Sequence, residues 1–311
     1  MMSSKDYYDL LHEKFDGTTN KEGLYPAENT EYRLYDTLAN FHIATSLYIG
    51  SLEDEAKALA DNIENSRLKN KDGFYNRQAT ERDVVARHHS CIEGVASFFY
   101  GISKSQKRGF GILKRLFNSP LYNNEQNLFY MSMDESGNIV DERLITHSQL
   151  WIVLALIVNG QHERATGLLS SVRKQCITVD IGILETMYCA STSTEKVTLP
   201  DDTALFAIAS FLIGERDEAV KTLVRLKNSP LFDNKRNVFV YKTMRGQERI
   251  SSYKNLLCQA AFKLCGVEIP PYDIKNEERF ADSIALGIFA VCIDKIKSRT
   301  NSFVVRDGQV I

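Results

Sequence analysis

Five stretches of the chain place titratable or polar side chains at the start of an apolar run: Asp36-Thr37-Leu38-Ala39, Arg87-His88-His89-Ser90, Thr146-His147-Ser148-Gln149, Pro200-Asp201-Asp202-Thr203 and Ser252-Tyr253-Lys254-Asn255. Three of the six histidines, His88, His89 and His147, fall in this set. Imidazole is the natural general acid or base near neutral pH. Two imidazoles on opposite walls of a pocket could take a proton from one face of a carbon and return it to the other. Aspartate, serine and threonine also occur at such positions as helix caps, and acids suit the positive end of the helix dipole. Capping therefore accounts for Asp36, Thr146, Asp201 and Asp202 taken singly. It does not account for Arg87, His88, His89, His147 or Lys254, because cations are disfavoured at helix N-termini.

A second chemistry uses paired carboxylates, spaced about 5 Å apart for retention or about 6.5–9.5 Å for inversion at a sugar carbon. Asp36, Asp83, Glu93, Asp201 and Asp202 are the candidates. Glu93 lies inside an apolar segment, where burial would raise its pKa and suit it to act as an acid. The alternative is a Glu93 satisfied by a neighbouring histidine or arginine. Other chemistries lack their motifs. There is no His-x-x-x-His or Cys-x-x-Cys spacing, no phosphate loop, no dinucleotide-binding glycine fingerprint and no Gly-x-Ser-x-Gly elbow, so neither a metal nor a cofactor is expected.

The elements that carry these residues repeat. NSPLYNNEQNLFY at 118–130 returns as NSPLFDNKRNVFV at 228–240, a shift of 110 positions, and weaker echoes at Lys71–Tyr75 and Asp180–Leu184 halve that distance. The unit is thus about 55 residues long. Each unit opens with a helix that is apolar nearly all round, such as HSQLWIVLALIVNG, which implies burial on every side. These helices end at Gly50, Gly101, Gly160, Gly214 and Gly266, placed for left-handed C-caps. In four units an amphipathic helix follows. One buried and one half-exposed helix per unit predict an inner and an outer circle, joined by short extended segments at the repeated loops.

The fifth unit departs from this pattern: Pro270-Pro271 blocks an immediate helix, and the apolar stretch 278–297 suits either the outer helix of unit five or the inner helix of unit six. In the latter case the amphipathic helix at 4–15 closes the circle from outside. The tail at 301–311 echoes the loop signature with Asn301, Phe303, Val304 and Val305, which favours six units.

Composition is ordinary for a globular chain, with 311 residues, 43% hydrophobic and a net charge of −2, and it offers no electrostatic footprint for nucleic acid or an anionic membrane. No apolar run is long enough to span a bilayer. The N-terminus lacks a signal-peptide core, and the six unpaired-looking cysteines read as reduced core residues, so a cytoplasmic setting is expected.

The apolar helix ending in glycine, its amphipathic partner, the Asp72-Gly73-Phe74-Tyr75 step and the polar layer together resemble the six-hairpin (α/α)6 toroids. Glycoside hydrolases, unsaturated-uronide hydrolases and the N-acylglucosamine 2-epimerase family share that fold. The resemblance implies an all-α toroid of five to six hairpins spanning residues 1–311 as a single domain. It implies a carbohydrate-active enzyme of the epimerase or isomerase type, acting on a small polar ligand such as a sugar, with a homodimer among the expected assemblies. His88 (or His89) and His147 would be the acid/base pair and Arg87 the anchor. Glu93 and Asp202 join the catalytic candidates, and Asp36, His89, Gln149, Trp151, Asp201, Tyr253 and Lys254 would line the substrate. The alternatives are a glycoside hydrolase with paired carboxylates, and a non-catalytic helical-repeat protein that binds a partner through apolar patches near Phe110 and Phe117.

Overall fold

The computed structural model describes residues 2–15, 17–28, 33–80, 82–176, 185–186, 197–242, 247–272 and 280–296. Its helices are α1 (Ser4–Phe15), α2 (Thr37–Ile49), α3 (Glu53–Asn65), α4 (Ser90–Ile102), α5 (Gln106–Phe117), α6 (Thr146–Val158), α7 (His162–Cys176), α8 (Pro200–Leu212), α9 (Arg216–Lys227), α10 (Ser252–Cys265) and α11 (Ala281–Cys292). Helices α2, α4, α6, α8 and α10 each pack against the next, α10 packs against α11, and α11 packs back against α2. The six thus form a closed inner circle. Their sequences explain the placement: in α2, α4, α6 and α8 nearly every residue is buried.

Outside, α3, α5, α7 and α9 lie on α2, α4, α6 and α8, each with one apolar stripe turned inward. The apolar stretch after residue 278 is the inner helix of unit six, and α1 is its outer partner. Tyr7 lies so close to α11 that a Cβ on Gly287 would sit 2.2 Å from its ring. The fifth unit has no outer helix among the described residues; Val267–Tyr272 runs there as an irregular strap. The tail echo at 301–311, the loop echo at Asp180–Leu184 and Cys189 lie outside the described residues. No described helix is long and apolar enough to cross a membrane.

Short strands join the units: β1 (Tyr35–Asp36), β2 (Asn76–Ala79), β3 (Val84–His89), β4 (Tyr122–Asn123), β5 (Leu128–Phe129), β6 (Ser132–Met133), β7 (Ile139–Asp141), β8 (Glu185–Thr186), β9 (Val197–Thr198), β10 (Phe232–Asp233), β11 (Val238–Lys242) and β12 (Glu248–Ile250). The repeated loops fold alike. Tyr122 pairs with Phe129 in one copy and Phe232 with Phe239 in the other. Asn127 and Asn237 take the left-handed conformation at matching turn positions. Ser119 and Ser229 each donate to the carbonyl three residues back and accept from the amide two residues on.

A five-stranded antiparallel sheet, in the order β1-β2-β3-β6-β7, was not foreseen. It removes Arg87, His88 and His89 from the helix start where the sequence reading placed them. The Val84-Val85 pair favours strand, and β3 finds partners on both sides in β2 and β6, so α4 begins only at Ser90.

Two of the five glycines also have another role. Gly50 has a right-handed φ of −66° and Gly101 lies inside α4. A Cβ at these positions would meet Ile288 at 2.6 Å and Val158 at 2.4 Å, so close helix packing is what requires glycine there. Gly160, Gly214 and Gly266 are left-handed, as expected of C-caps.

Candidate active site

Counting from the first residue of each inner helix sorts the polar residues into layers. The second residues are Leu38, Cys91, His147, Asp201, Tyr253 and Asp282, and the third include Ser148, Asp202 and Lys254. The closed circle turns these positions toward one another at one end of the toroid. His147 and Asp202 are 55 residues apart in sequence and 3.1 Å apart in space, from Nδ1 to Oδ1.

His147 is the hub. Its Nε2 lies 3.1 Å from Nε1 of Trp151, one turn along the same helix, and 3.1 Å from the Tyr253 hydroxyl. An indole N–H can only donate, so Nε2 is the acceptor. The ring proton therefore sits on Nδ1 and is donated to Asp202. Burial, reinforced by the charge of Asp201, holds the Tyr253 pKa well above the usual tyrosine value, so its hydroxyl stays protonated and can donate too.

Asp201 and Asp202 are both buried. Lys254 Nζ lies 2.8 Å from each carboxylate oxygen of Asp201. Burial works against the ammonium, but Asp201 and Asp202 outweigh it and raise the Lys254 pKa. Beside them, burial pushes the Cys91 thiol up to about 12, and the thiol senses the charges of both Asp36 and Asp202. Cys91 thus stays a thiol between the two acids.

One turn deeper, the sixth residues of α2 and α6 are His42 and Trp151, with ring centroids 5.2 Å apart. His42 is 2% exposed, and among the described residues neither ring nitrogen has a hydrogen-bond partner. Its ring centroid is 5.5 Å from that of Tyr253, and its Nδ1 is 3.9 Å from Oδ2 of Asp282.

Among the sequence candidates, the structure brings together Asp36, His147, Trp151, Asp201, Asp202, Tyr253 and Lys254. Asp36 caps α2 through a hydrogen bond from the Ala39 amide and accepts a second from Gln78. Burial raises its pKa and Asp282 adds to the rise. Trp151 is buried and offers the site only its N–H edge. Phe41 packs among Tyr75, Phe99 and Tyr100 as core.

His88, His89, Arg87, Glu93 and Gln149 do not join the group. Side chains alternate along a strand, so Arg87 faces solvent while His88 turns inward. His88 Nδ1 donates to the Tyr75 carbonyl, its Nε2 accepts from Asn70, and the ring stacks on Phe74, away from every partner of His147. His89 is buried, and burial with the charge of Arg77 pushes its pKa down to about 4.

Glu93 and Gln149 fasten loops. Each is the fourth residue of its helix, like Asn40 and Asn255. Asn40 clamps the backbone of Tyr25, Gln149 that of Phe129 and Asn255 that of Phe239, each through both the N–H and the C=O. Glu93 accepts from the Tyr75 amide at 2.8 Å and from Arg115 at 3.0 Å. Asp83 is exposed.

Sequence reading missed His42, Cys91 and Asp282. The signal for Cys91 and Asp282 was their register, the same second helix position as His147. It was hidden because Gly101, which set the alignment, lies inside α4, and because α11 lacks a terminal glycine. His147, Asp201 and Asp202 also offer three ligand atoms within 4.8 Å of one another, a grouping that could hold a metal ion. In this structure Asp201 accepts from Lys254 and Asp202 from the His147 Nδ1–H.

No family model matches the chain, and no curated protein matches it in sequence. Solved structures do match. A D-mannose isomerase superposes with a TM-score of 0.71 at 11% identity, covering 95% of this chain and 97% of that one. A cellobiose 2-epimerase from Bacillus thermoamylovorans B4167 gives 0.65 at 10% identity, covering 98% and 89%. An inactive α-1,6-mannanase variant of Salegentibacter sp. HEL1_6, with two consecutive aspartates replaced by asparagine and α-1,6-mannotriose bound, gives 0.67 at 8% identity, covering 94% and 98%. Likeness at such identities speaks for architecture alone, and together with the closed circle of inner helices it establishes that the chain is built on the six-hairpin (α/α)6 toroid fold.

Proposed function

We propose that the protein is a carbohydrate-active enzyme of the isomerase or epimerase type, with His147 as its acid/base. The observation that carries this reading is the hydrogen-bonding of His147. Asp202 holds the proton on Nδ1, and Nε2 is left as the basic atom, aimed at the Tyr253 hydroxyl. This is the arrangement in which a buried carboxylate orients an imidazole and stabilises the imidazolium that forms. A substrate hydrogen on the carbon next to a carbonyl would take the place of the Tyr253 hydroxyl. Nε2 accepts that proton, leaving an enediolate, and the proton is then returned. Return to the neighbouring carbon, with the hydroxyl proton passing from one enediolate oxygen to the other, yields the ketose. Return to the same carbon from the opposite face yields the epimer and calls for a second imidazole. His42, across Trp151 and Tyr253 and one turn deeper than His147, would be that imidazole, the role the sequence reading gave to His88. The sugar-processing neighbours of the same fold support the class of substrate.

The test is proton exchange. The protein is incubated with a panel of unmodified aldoses in deuterium oxide, and NMR follows deuterium at C2 and the appearance of ketose or epimer. Incorporation that disappears in His147→Gln is expected. Turnover that survives His147→Gln sinks the assignment.

The second reading is a glycoside hydrolase built on Asp201 and Asp202, favoured by the consecutive aspartates that the inactive mannanase variant lacks. In this chain each carboxylate already holds a cation or an imidazole N–H, which makes neither a free acid or nucleophile. Release of reducing ends from α-1,6-mannotriose, without deuterium incorporation into monosaccharides, would reverse the order of the two readings.

A further inference from the structure

The charges of the site are unevenly compensated. Four carboxylates meet there, from Asp36, Asp201, Asp202 and Asp282. Lys254 neutralises Asp201, and the His147 N–H takes Asp202. Among the described residues the Asp36 carboxylate receives hydrogen bonds only from the Ala39 amide and the Gln78 carboxamide, both neutral. Among the described residues the Asp282 carboxylate has no hydrogen-bond partner, and the His42 ring stands 3.9 Å from it. Asp36 feels the charge of Asp282 across the seam between α2 and α11, and that charge outweighs the opposing one of Arg77. Beneath them lies His42, 2% exposed with both nitrogens unpartnered among the described residues. A buried polar group left unsatisfied is costly, so this ring points to a hydrogen-bonding group that a ligand supplies.

Resting on the reading of the site as a sugar-processing centre, we infer that its substrate carries a protonated amine, an amino sugar or similar polyhydroxylated amine, held between Asp36 and Asp282 above His42. A carboxylate accepts about four hydrogen bonds, so Asp36 can take an ammonium donor besides its two present ones. His42 accepts a third N–H from the same group. Sugar phosphates and uronic acids are excluded by the same acids, since like charges brought together in a half-buried site repel.

The experiment is a calorimetric titration of the full chain with D-glucosamine, D-glucose, N-acetyl-D-glucosamine and D-glucose 6-phosphate at pH 6.5. Glucosamine should bind about tenfold to a hundredfold more tightly than glucose, as charge-assisted hydrogen bonds would give. Acylation of the amine should remove the advantage, and the phosphate should not bind. Asp282→Asn should level glucosamine with glucose; the acylated sugar makes the same comparison without any variant. Equal binding of glucose and glucosamine, binding of the phosphate, or no binding of glucosamine overturns the inference. Exchange at C2 of neutral sugars with no preference for the amine would sink this subsite and leave the His147 mechanism standing. A preference for the amine without exchange would do the reverse.

Discussion

The indole N–H of Trp151 ends 3.1 Å from Nε2 of His147, four residues earlier on α6, and so decides which imidazole nitrogen carries the proton. Asp202, one repeat further along the chain, accepts from the other nitrogen. Two residues from different units thus hold one tautomer from both sides. Trp151→Phe should lower turnover by about tenfold with little change in KM, because the ring keeps its place but loses one constraint. Asp202→Asn should cost more, up to about ten-thousandfold, since a carboxamide can reverse the tautomer. Steady-state kinetics on whichever sugar shows exchange check both. Equal activity of wild type and Asp202→Asn would remove Asp202 from the mechanism.

The Lys254–Asp201 pair is a structural prediction as well as a functional one. Asp201 is buried, and its ammonium partner is the group that permits its charge there. Lys254→Met leaves that charge uncompensated and should destabilise the fold by about 3–5 kcal/mol. Adding Asp201→Asn should restore most of the loss. Urea denaturation of the single and double variants measures the coupling, and simple additivity would contradict the pairing.

Glu93 and His89 should pull the pH dependence of stability in opposite directions. Burial raises the Glu93 pKa to about 7, with Arg115 opposing. Its folded state holds the proton more tightly than the unfolded chain, so its contribution is complete at low pH and is lost as pH rises from about 4.5 to about 7. Burial lowers His89 to about 4. Its contribution is complete above about 6.5 and is lost as pH falls toward 4. Between about 4.5 and 6.5 the two nearly cancel. Relative to wild type, Glu93→Gln should therefore gain stability with rising pH across that window, and His89→Gln should gain it with falling pH. Denaturation curves at five or six pH values separate them; variants that run parallel to wild type would refute the assignment.

Gln149 and Asn255 make the same clamp two units apart. Gln149→Ala frees the buried N–H and C=O of Phe129 and Asn255→Ala those of Phe239. Each unsatisfied group costs about 1–3 kcal/mol, so each variant should lose about 2–5 kcal/mol of stability. At temperatures where the variants remain folded, KM should be unchanged. A rise in KM for Gln149→Ala without loss of stability would return Gln149 to the substrate site.

Much of the architecture was legible in the chain alone. The repeat of about 55 residues, helices buried on all sides and their one-sided partners dictate two concentric circles, because a helix without a polar face has nowhere else to go. The helix at 4–15 and the closing role of the stretch after residue 278 were open alternatives that packing resolved. Polarity at the helix starts marked the right end of the toroid, and His147, Asp201, Asp202, Tyr253 and Lys254 could be listed from their register. What local sequence does not encode is which neighbour each polar side chain meets. Glu93 and Gln149 look like site residues until the loops come within reach of them. His88 and His89 look like a helix start until β2 and β6 offer β3 its hydrogen bonds. His42 looks like core until Asp282 arrives from the far end of the chain to stand over it. These outcomes depend on contacts that the local pattern does not carry: Tyr75 lies 18 residues before Glu93, Phe129 lies 20 before Gln149, and Asp282 reaches His42 only because closure of the circle packs α11 on α2.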